Sequence, residues 1–334
     1  MKGNVRAMKQ IATFPRAAMA AFVLMLCLVL PVGTGALAAS PPPQPGVYTG
    51  GVTSLTPTSV ILLGGLNAKG APANYRFQYG TTKAYGIQTP LQPGGRSPAT
   101  ITVNQPVGGL APNTLYHFRI VAYGARGVVL GADHAFKTPK VPLALSVSAA
   151  PSPVPFGDTF VLGGTLFGTG HVGRAVALQS NPFPYVQGFK TLGNPELTNA
   201  VGGFSFPIVG LPVNTQFRVL TTGAPFVVSP VFVEGVAVRV SFHVHRVHRH
   251  RPGRYYRMYG TVAPAEVGAQ VGFQLLRAGS SSLNVGGTFV HSGSPTVSTF
   301  STIVRVRRNG VYQALVKVND GAHVSAYSEP IRIG

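Results

Sequence analysis

Gly164-Thr165-Leu166 recurs as Gly260-Thr261-Val262, and the matches around it keep one offset of about 95 residues. Val172-Gly173-Arg174-Ala175-Val176-Ala177-Leu178-Gln179 answers to Val267-Gly268-Ala269-Gln270-Val271-Gly272-Phe273-Gln274. Phe204-Ser205 answers to Phe300-Ser301, and Phe217 to Tyr312. A unit of this length built of alternating strands closes one small core, and two packed antiparallel sheets fit it. Leu143, Leu145 and Val147 open the first copy; Val236, Val238 and Val240 open the second.

The same texture continues upstream. Thr58–Gly64, Asn74–Gly80, Ala99–Val103, Leu115–Tyr123 and Gly131–Thr138 read as strands, separated by turn residues at sandwich spacing. The 42 Gly and 29 Pro suit short strands and tight turns, and charged residues are only 10% of the chain. No helical array occurs past residue 40. The expected fold is therefore all-β, with three tandem β-sandwich domains over residues 46–140, 141–235 and 236–334.

Leu110-Ala111-Pro112-Asn113-Thr114-Leu115-Tyr116 resembles the L-x-P-x-T-x-Y run that enters strand F of a fibronectin type III domain. Tyr75-Arg76-Phe77-Gln78-Tyr79-Gly80-Thr81-Thr82 resembles strand C and its turn in secreted bacterial members. The resemblance covers residues 46 to 138. It implies a structural tyrosine corner at Tyr116, with the ring in the core and the hydroxyl bonded back to the backbone. It also implies an adhesive or structural role without catalytic residues. The family buries a Trp in strand B, and this chain has none; Ile61 or Leu63 is expected in its place. The repeated half resembles the Ig-like repeats of secreted bacterial surface proteins.

Residues 1–38 read as an export signal, followed by a Pro-rich linker over 39–45. Lys2, Arg6, Lys9 and Arg16 precede the apolar stretch Ala17–Leu30, and Ala36-Leu37-Ala38 supplies a cleavage site. The apolar stretch is shorter than the roughly 20 residues that span a bilayer. The only cysteine, Cys27, falls inside this leader, so no disulfide or thiolate site is expected beyond it. A secreted or envelope-associated location follows from the leader.

Net charge is +20, and all 7 acids lie beyond the leader. Such a surface favours acidic polysaccharide or other polyanions. The charge concentrates in Arg239, His243, His245, Arg246, His248, Arg249, His250, Arg251, Arg254 and Arg257, with no acid between Glu234 and Glu266. The repeat places this run at the end of an edge strand and in the connection that follows. Three readings stand side by side. Guanidinium groups pair with phosphate, sulfate or carboxylate, and imidazoles add charge in acid. A His-x-His strand pair brings two imidazoles to one face, which suits Zn, Ni or Cu, although the arginines repel a cation. A charged edge also blocks sheet-to-sheet pairing.

Tyr256 and Met258 align with Phe160 and Leu162 of the first copy, which turns Tyr255, Arg257 and Tyr259 outward as an aromatic–cationic ladder. Such a ladder stacks sugars or bases, or stabilises an exposed sheet. Catalysis finds no support: no paired carboxylates, no G-x-S-x-G, no H-E-x-x-H and no P-loop are present. No cofactor, metal or small-molecule substrate is expected. The runner-up to polyanion binding is a spacer or envelope assembly subunit without a ligand.

Overall fold

Side chains leave a strand on alternate faces, so one apolar face per strand specifies one buried layer. The computed structural model describes residues 40–279 and 281–334; the expected leader and Cys27 lie outside them. Among the described residues the regular elements are all strands. No helix there is long and apolar enough to cross a membrane.

The first core is built from β1 (Gly46–Thr53), β2 (Ser59–Asn67), β3 (Ala73–Gly80), β4 (Ile87–Gln88), β5 (Gln92–Gly95), β6 (Ile101–Gly108), β7 (Leu115–Gly124), β8 (Gly127–Leu130) and β9 (His134–Lys137). One sheet runs β1-β2-β6. The other runs β4-β3-β7-β8, with β5 also paired to β3 and β9 to β7. Leu62, Leu66, Phe77, Phe118 and Ile120 fill the space between the sheets.

The residues expected to replace the strand-B Trp are corrected here. Val60 and Leu62 are the buried pair, while Ile61 and Leu63 are only half-buried on the other face. The run Val60–Leu63 is continuously apolar, so its own pattern does not set the parity. The partner strand does: Leu62 pairs with Gln105, whose neighbours Val103 and Val107 also point inward.

Tyr116 is buried and stacked on Phe136 at 5.6 Å. Its hydroxyl accepts the Ala111 N–H at 3.0 Å. Tyr116→Phe keeps the ring and orphans that amide, so a loss of about 1 kcal/mol is expected in denaturant unfolding. An unchanged midpoint would show that the hydroxyl adds nothing.

The second core uses β10 (Ala144–Ala150), β11 (Val154–Pro155), β12 (Thr159–Phe167), β13 (Ala175–Pro182), β14 (Lys190–Leu197), β15 (Gly203–Val209), β16 (Thr215–Thr221) and β17 (Phe232–Glu234). The third uses β18 (Val236–Ala237), β19 (Arg239–Val240), β20 (His243–Val247), β21 (Arg254–Ala263), β22 (Gln270–Leu275), β23 (Leu283–Phe289), β24 (Ser298–Val306), β25 (Gly310–Lys317), β26 (Ala326–Tyr327) and β27 (Ile331–Ile333). Sheet β10-β12-β15 faces β14-β13-β16-β17, with Phe160, Leu162, Val176 and Phe217 between them. In the third core β19 and β20 both pair with β21, which pairs with β24; this sheet faces β23-β22-β25-β26. The strand scheme of the second core thus recurs in the third.

The repeated glycines have one physical cause. A Cβ at Gly164 would sit 2.1 Å from the Ser146 carbonyl oxygen and 2.5 Å from the Phe204 ring. A Cβ at Gly260 would sit 2.0 Å from the Ser241 oxygen and 2.7 Å from the Phe300 ring. In both cores the central strand passes too close to its edge neighbour, and to one phenyl ring, for any side chain.

The chain between the second and third cores is held in backbone bonds. Val154 and Pro155 pair in parallel with Val236 and Ala237. Val324 donates to the Val236 carbonyl at 2.8 Å and accepts from Val238 at 3.0 Å. Val236 packs into the second core and Val238 into the third, so the joint itself is apolar. Asn214 closes it from the second core: its N–H donates to Ala322 at 2.7 Å and its side-chain amide donates to Gly321 at 2.9 Å.

Beside this joint Glu234 is fully buried, its Oε1 accepting the Val154 N–H at 2.9 Å. Burial pushes its carboxyl above the ordinary 4.5, against the pull of that amide. The folded chain therefore holds this proton more tightly than the unfolded chain. Stability is lost as pH rises from 4.5 through the raised value. Glu234→Gln removes that loss. The melting temperature of the native chain relative to the variant should fall between pH 4.5 and 7.5; a constant difference would refute it.

Candidate binding face on the third core

Register decides which parts of the His/Arg run share a surface. In β20 and β21, His243 pairs with Tyr259, His245 with Arg257 and Val247 with Tyr255. On the far side of β21, Tyr259 pairs with Ser301, Arg257 with Ile303 and Tyr255 with Arg305. Tyr256 and Met258 are buried, so by alternation these paired side chains stand together on the outer face. Tyr255, Arg257 and Tyr259 therefore lie in one row on the outer face.

The face has a defined chemistry. The His243 and Tyr259 rings lie 5.5 Å apart, centroid to centroid, tilted by 36°. A shallow hollow of about 610 Å³ is lined by His243, His245, Arg257 and Tyr259, with the hydroxyl-bearing Ser241, Thr261, Thr299 and Ser301 along its floor and rim. The Ser241 and Thr261 hydroxyls are bonded to each other at 2.7 Å. Imidazole, guanidinium, phenol and aliphatic hydroxyls thus converge on one exposed, concave patch.

The rest of the run is the hairpin between β20 and β21. His248, Arg249, His250 and Arg251 are exposed there. The Arg249 guanidinium lies 5.8 Å from the centroid of the Tyr255 ring, which continues the cationic–aromatic pattern to the hairpin. Arg246 is exposed on β20, on the face opposite His245.

Two members of the run stand apart. Arg239 bonds Asp158 at 2.5 Å and the Phe156 carbonyl at 3.3 Å, so its charge is spent on the second core. Arg254 donates to the Asn309 side-chain oxygen. Conversely, Arg305 joins the face from β24, where sequence distance from the run hid it. Among the described residues, the ion pairs use Lys83, His117, Arg239 and His323 as cations, and none of the face.

Folding also brings together His–carboxylate groups that the sequence keeps apart. His117 Nδ1 lies 2.9 Å from Asp133, and the Tyr85 hydroxyl donates to that carboxylate at 3.0 Å. Burial acts to raise the Asp133 carboxyl, and the bonds from His117 and Tyr85 outweigh it and hold it low. The second group, Glu266, Asp320 and His323, lies beside the joint. Only the acids' scarcity hinted at it: two of the chain's 7 acids stand here.

No protein-family model and no curated protein matches the chain. Among solved structures, it is similar to a tetra-tandem repeat in the extending region of a large adhesion protein, at 12% identity over 86% of this chain and 74% of that one, with a TM-score of 0.28. It is similar to the chicken CNTN1 FN1–FN3 domains at 15% identity over 87% of this chain and 99% of that one, TM-score 0.27. Trypsin-activated alpha-2-macroglobulin from Escherichia coli shares 14% identity over 85% of this chain and 23% of its own length, TM-score 0.25. At these scores the all-β assignment stands on the strand pairing described above.

Proposed function

We propose that the chain is an exported, non-catalytic adhesion or binding protein, a fibronectin type III-like domain followed by two Ig-like domains, that holds acidic polymers on the outer sheet of its third core. The observation that carries this is the exposed row His243, His245, Arg257 and Tyr259 around one hydroxyl-lined hollow, extended by the basic hairpin. Guanidinium forks and imidazolium groups pair with sulfate, phosphate or carboxylate, and phenol rings pack on sugar faces. Location outside the cell or at its envelope rests on the leader. The test is retention on immobilised heparin of the native chain beside a variant with His243, His245, His248, His250, Arg249, Arg251 and Arg257 replaced by Ser. Retention should collapse in the variant. Equal, weak retention of both would leave the charge as a guard of the β20 edge.

That outcome would favour a spacer or assembly subunit without a ligand. The joint supports this second reading: backbone bonds, the apolar plugs Val236 and Val238, and Asn214 fix the third core on the second. The same geometry serves a binding tip held at a fixed angle, so the retention experiment separates the two.

A further inference from the structure

Glu266, in the connection from β21 to β22, meets Asp320 and His323, both in the connection from β25 to β26. His323 Nδ1 is 2.7 Å from Glu266 Oε1 and 2.8 Å from Asp320 Oδ2. The donor atoms of the three side chains all lie within 4.8 Å of one another. The other imidazole nitrogen, Nε2, is 2.9 Å from the Pro212 carbonyl of the second core. A carbonyl only accepts, so Nε2 carries a hydrogen; Nδ1 donates a second one to the carboxylates, and a cation entering between the three side chains displaces that Nδ1 proton to solvent. The Nε2 contact is the outer-sphere bond that metal-ligating histidines make. Asp320 is held in the same way: its Oδ1 accepts the N–H groups of Ala322 at 3.0 Å and His323 at 2.9 Å, which leaves Oδ2 facing the imidazole.

These contacts present one nitrogen and two carboxylate oxygens to a common point. His323 and Glu266 side chains are only 10% and 11% exposed. A hollow of about 730 Å³, lined by Glu266, Asp320, Asn319 and Ser325, opens onto the group and gives an entry path. Lys317 lines the same hollow and competes with a cation there. A tetrahedral ion with bonds near 2.1 Å spaces its ligands by about 3.4 Å. The His323–carboxylate spacings of 2.7 and 2.8 Å need to open by roughly 0.6 Å, within reach of small side-chain rotations.

We propose that Glu266, Asp320 and His323 form a binding site for a divalent transition ion, with water or Ser325 completing the shell. The single imidazole favours Zn²⁺ or Mn²⁺ over Ca²⁺, which takes oxygen ligands. Through the His323–Pro212 bond the ion would clamp the third core on the second. The experiment is calorimetric titration of the full chain with Zn²⁺. One ion per chain is expected, with a rise of a few degrees in melting temperature at saturation. Glu266→Gln keeps a hydrogen-bonding oxygen near His323 and removes a ligand charge. It should weaken binding at least tenfold while the metal-free melting temperature holds. His323→Ala should abolish it. A variant with His243, His245, His248 and His250 replaced by Ser should bind as the native chain does. With Co²⁺, a visible absorption band of four-coordinate intensity should appear in the native chain and vanish in Glu266→Gln. Absence of saturable uptake overturns the proposal, as does uptake that Glu266→Gln leaves unchanged or that only the four-His variant loses.

Discussion

Replacing Phe273 by alanine is expected to cost the third core about 3–5 kcal/mol in denaturant unfolding. Phe273 is fully buried, stacked on Phe242 at 5.7 Å and tilted against Phe300 at 6.1 Å. Removing it strips three contacts at once: the Phe242 ring of the edge strand region, the Phe300 ring of β24, and the neighbours of β22. Surrounding rings relax only partly into such a space, so a cavity term adds to the lost burial. A domain of this size is stable by about 5–15 kcal/mol, so a large share of that margin goes. Phe289→Ala is the control. That ring is 56% exposed, and its loss should change stability by about 0.5 kcal/mol or less. A Phe273→Ala chain as stable as Phe289→Ala would mean that the third core is not organised around this ring.

That contrast marks what the sequence made legible. Phe273 was placed by the repeat, because Val271 and Phe273 answer to Val176 and Leu178, and all four are buried. The repeat also orients Tyr256 and Met258 inward by aligning them with Phe160 and Leu162, which turns the tyrosine–arginine ladder out. Tyr116 was readable because its motif carries a local hydrogen bond five residues upstream. Failure came where local pattern is silent. Val60–Leu63 has no polar residue to mark a face, so parity was decided by pairing with β6, a tertiary fact. Short strands such as β4 and β8 left no periodic trace.

The candidate site divides along the same line. A continuous run such as His243–Arg257 announces its charge, but not its partners. Arg239 reads as one more cation until the joint brings Asp158 to it. Arg305 reads as unrelated until β24 lies beside β21. Glu266, Asp320 and His323 are the extreme case. Asp320 and His323 are near neighbours in one connection, but Glu266 is remote from them in sequence, and only the closure of two connections at one end of the third core, against Pro212 of the second, makes the three a group.

The binding face gives the other large effect, and its two kinds of cation separate it cleanly. Arginine is charged at every accessible pH, whereas histidine gains charge between pH 7.5 and 5.5. Polyanion binding releases condensed counterions, so the logarithm of affinity falls with the logarithm of salt by about one unit of slope per engaged cation. Replacing Arg249, Arg251 and Arg257 by Ser should lower that slope by about two to three at both pH values, a loss of more than tenfold in affinity at low salt. Replacing His243, His245, His248 and His250 by Ser should leave the slope at pH 7.5 nearly intact. It should abolish the tightening expected of the native chain at pH 5.5. The pairing of His243 with Tyr259 and His245 with Arg257 sharpens the test, since one anion bridging the strands must feel both sets. If the histidine variant still tightens in acid, the pH response arises elsewhere on the chain. If the arginine variant keeps the full salt slope, the hairpin and its ladder do not touch the polymer. The charge would then serve to keep the β20 edge from pairing with another sheet.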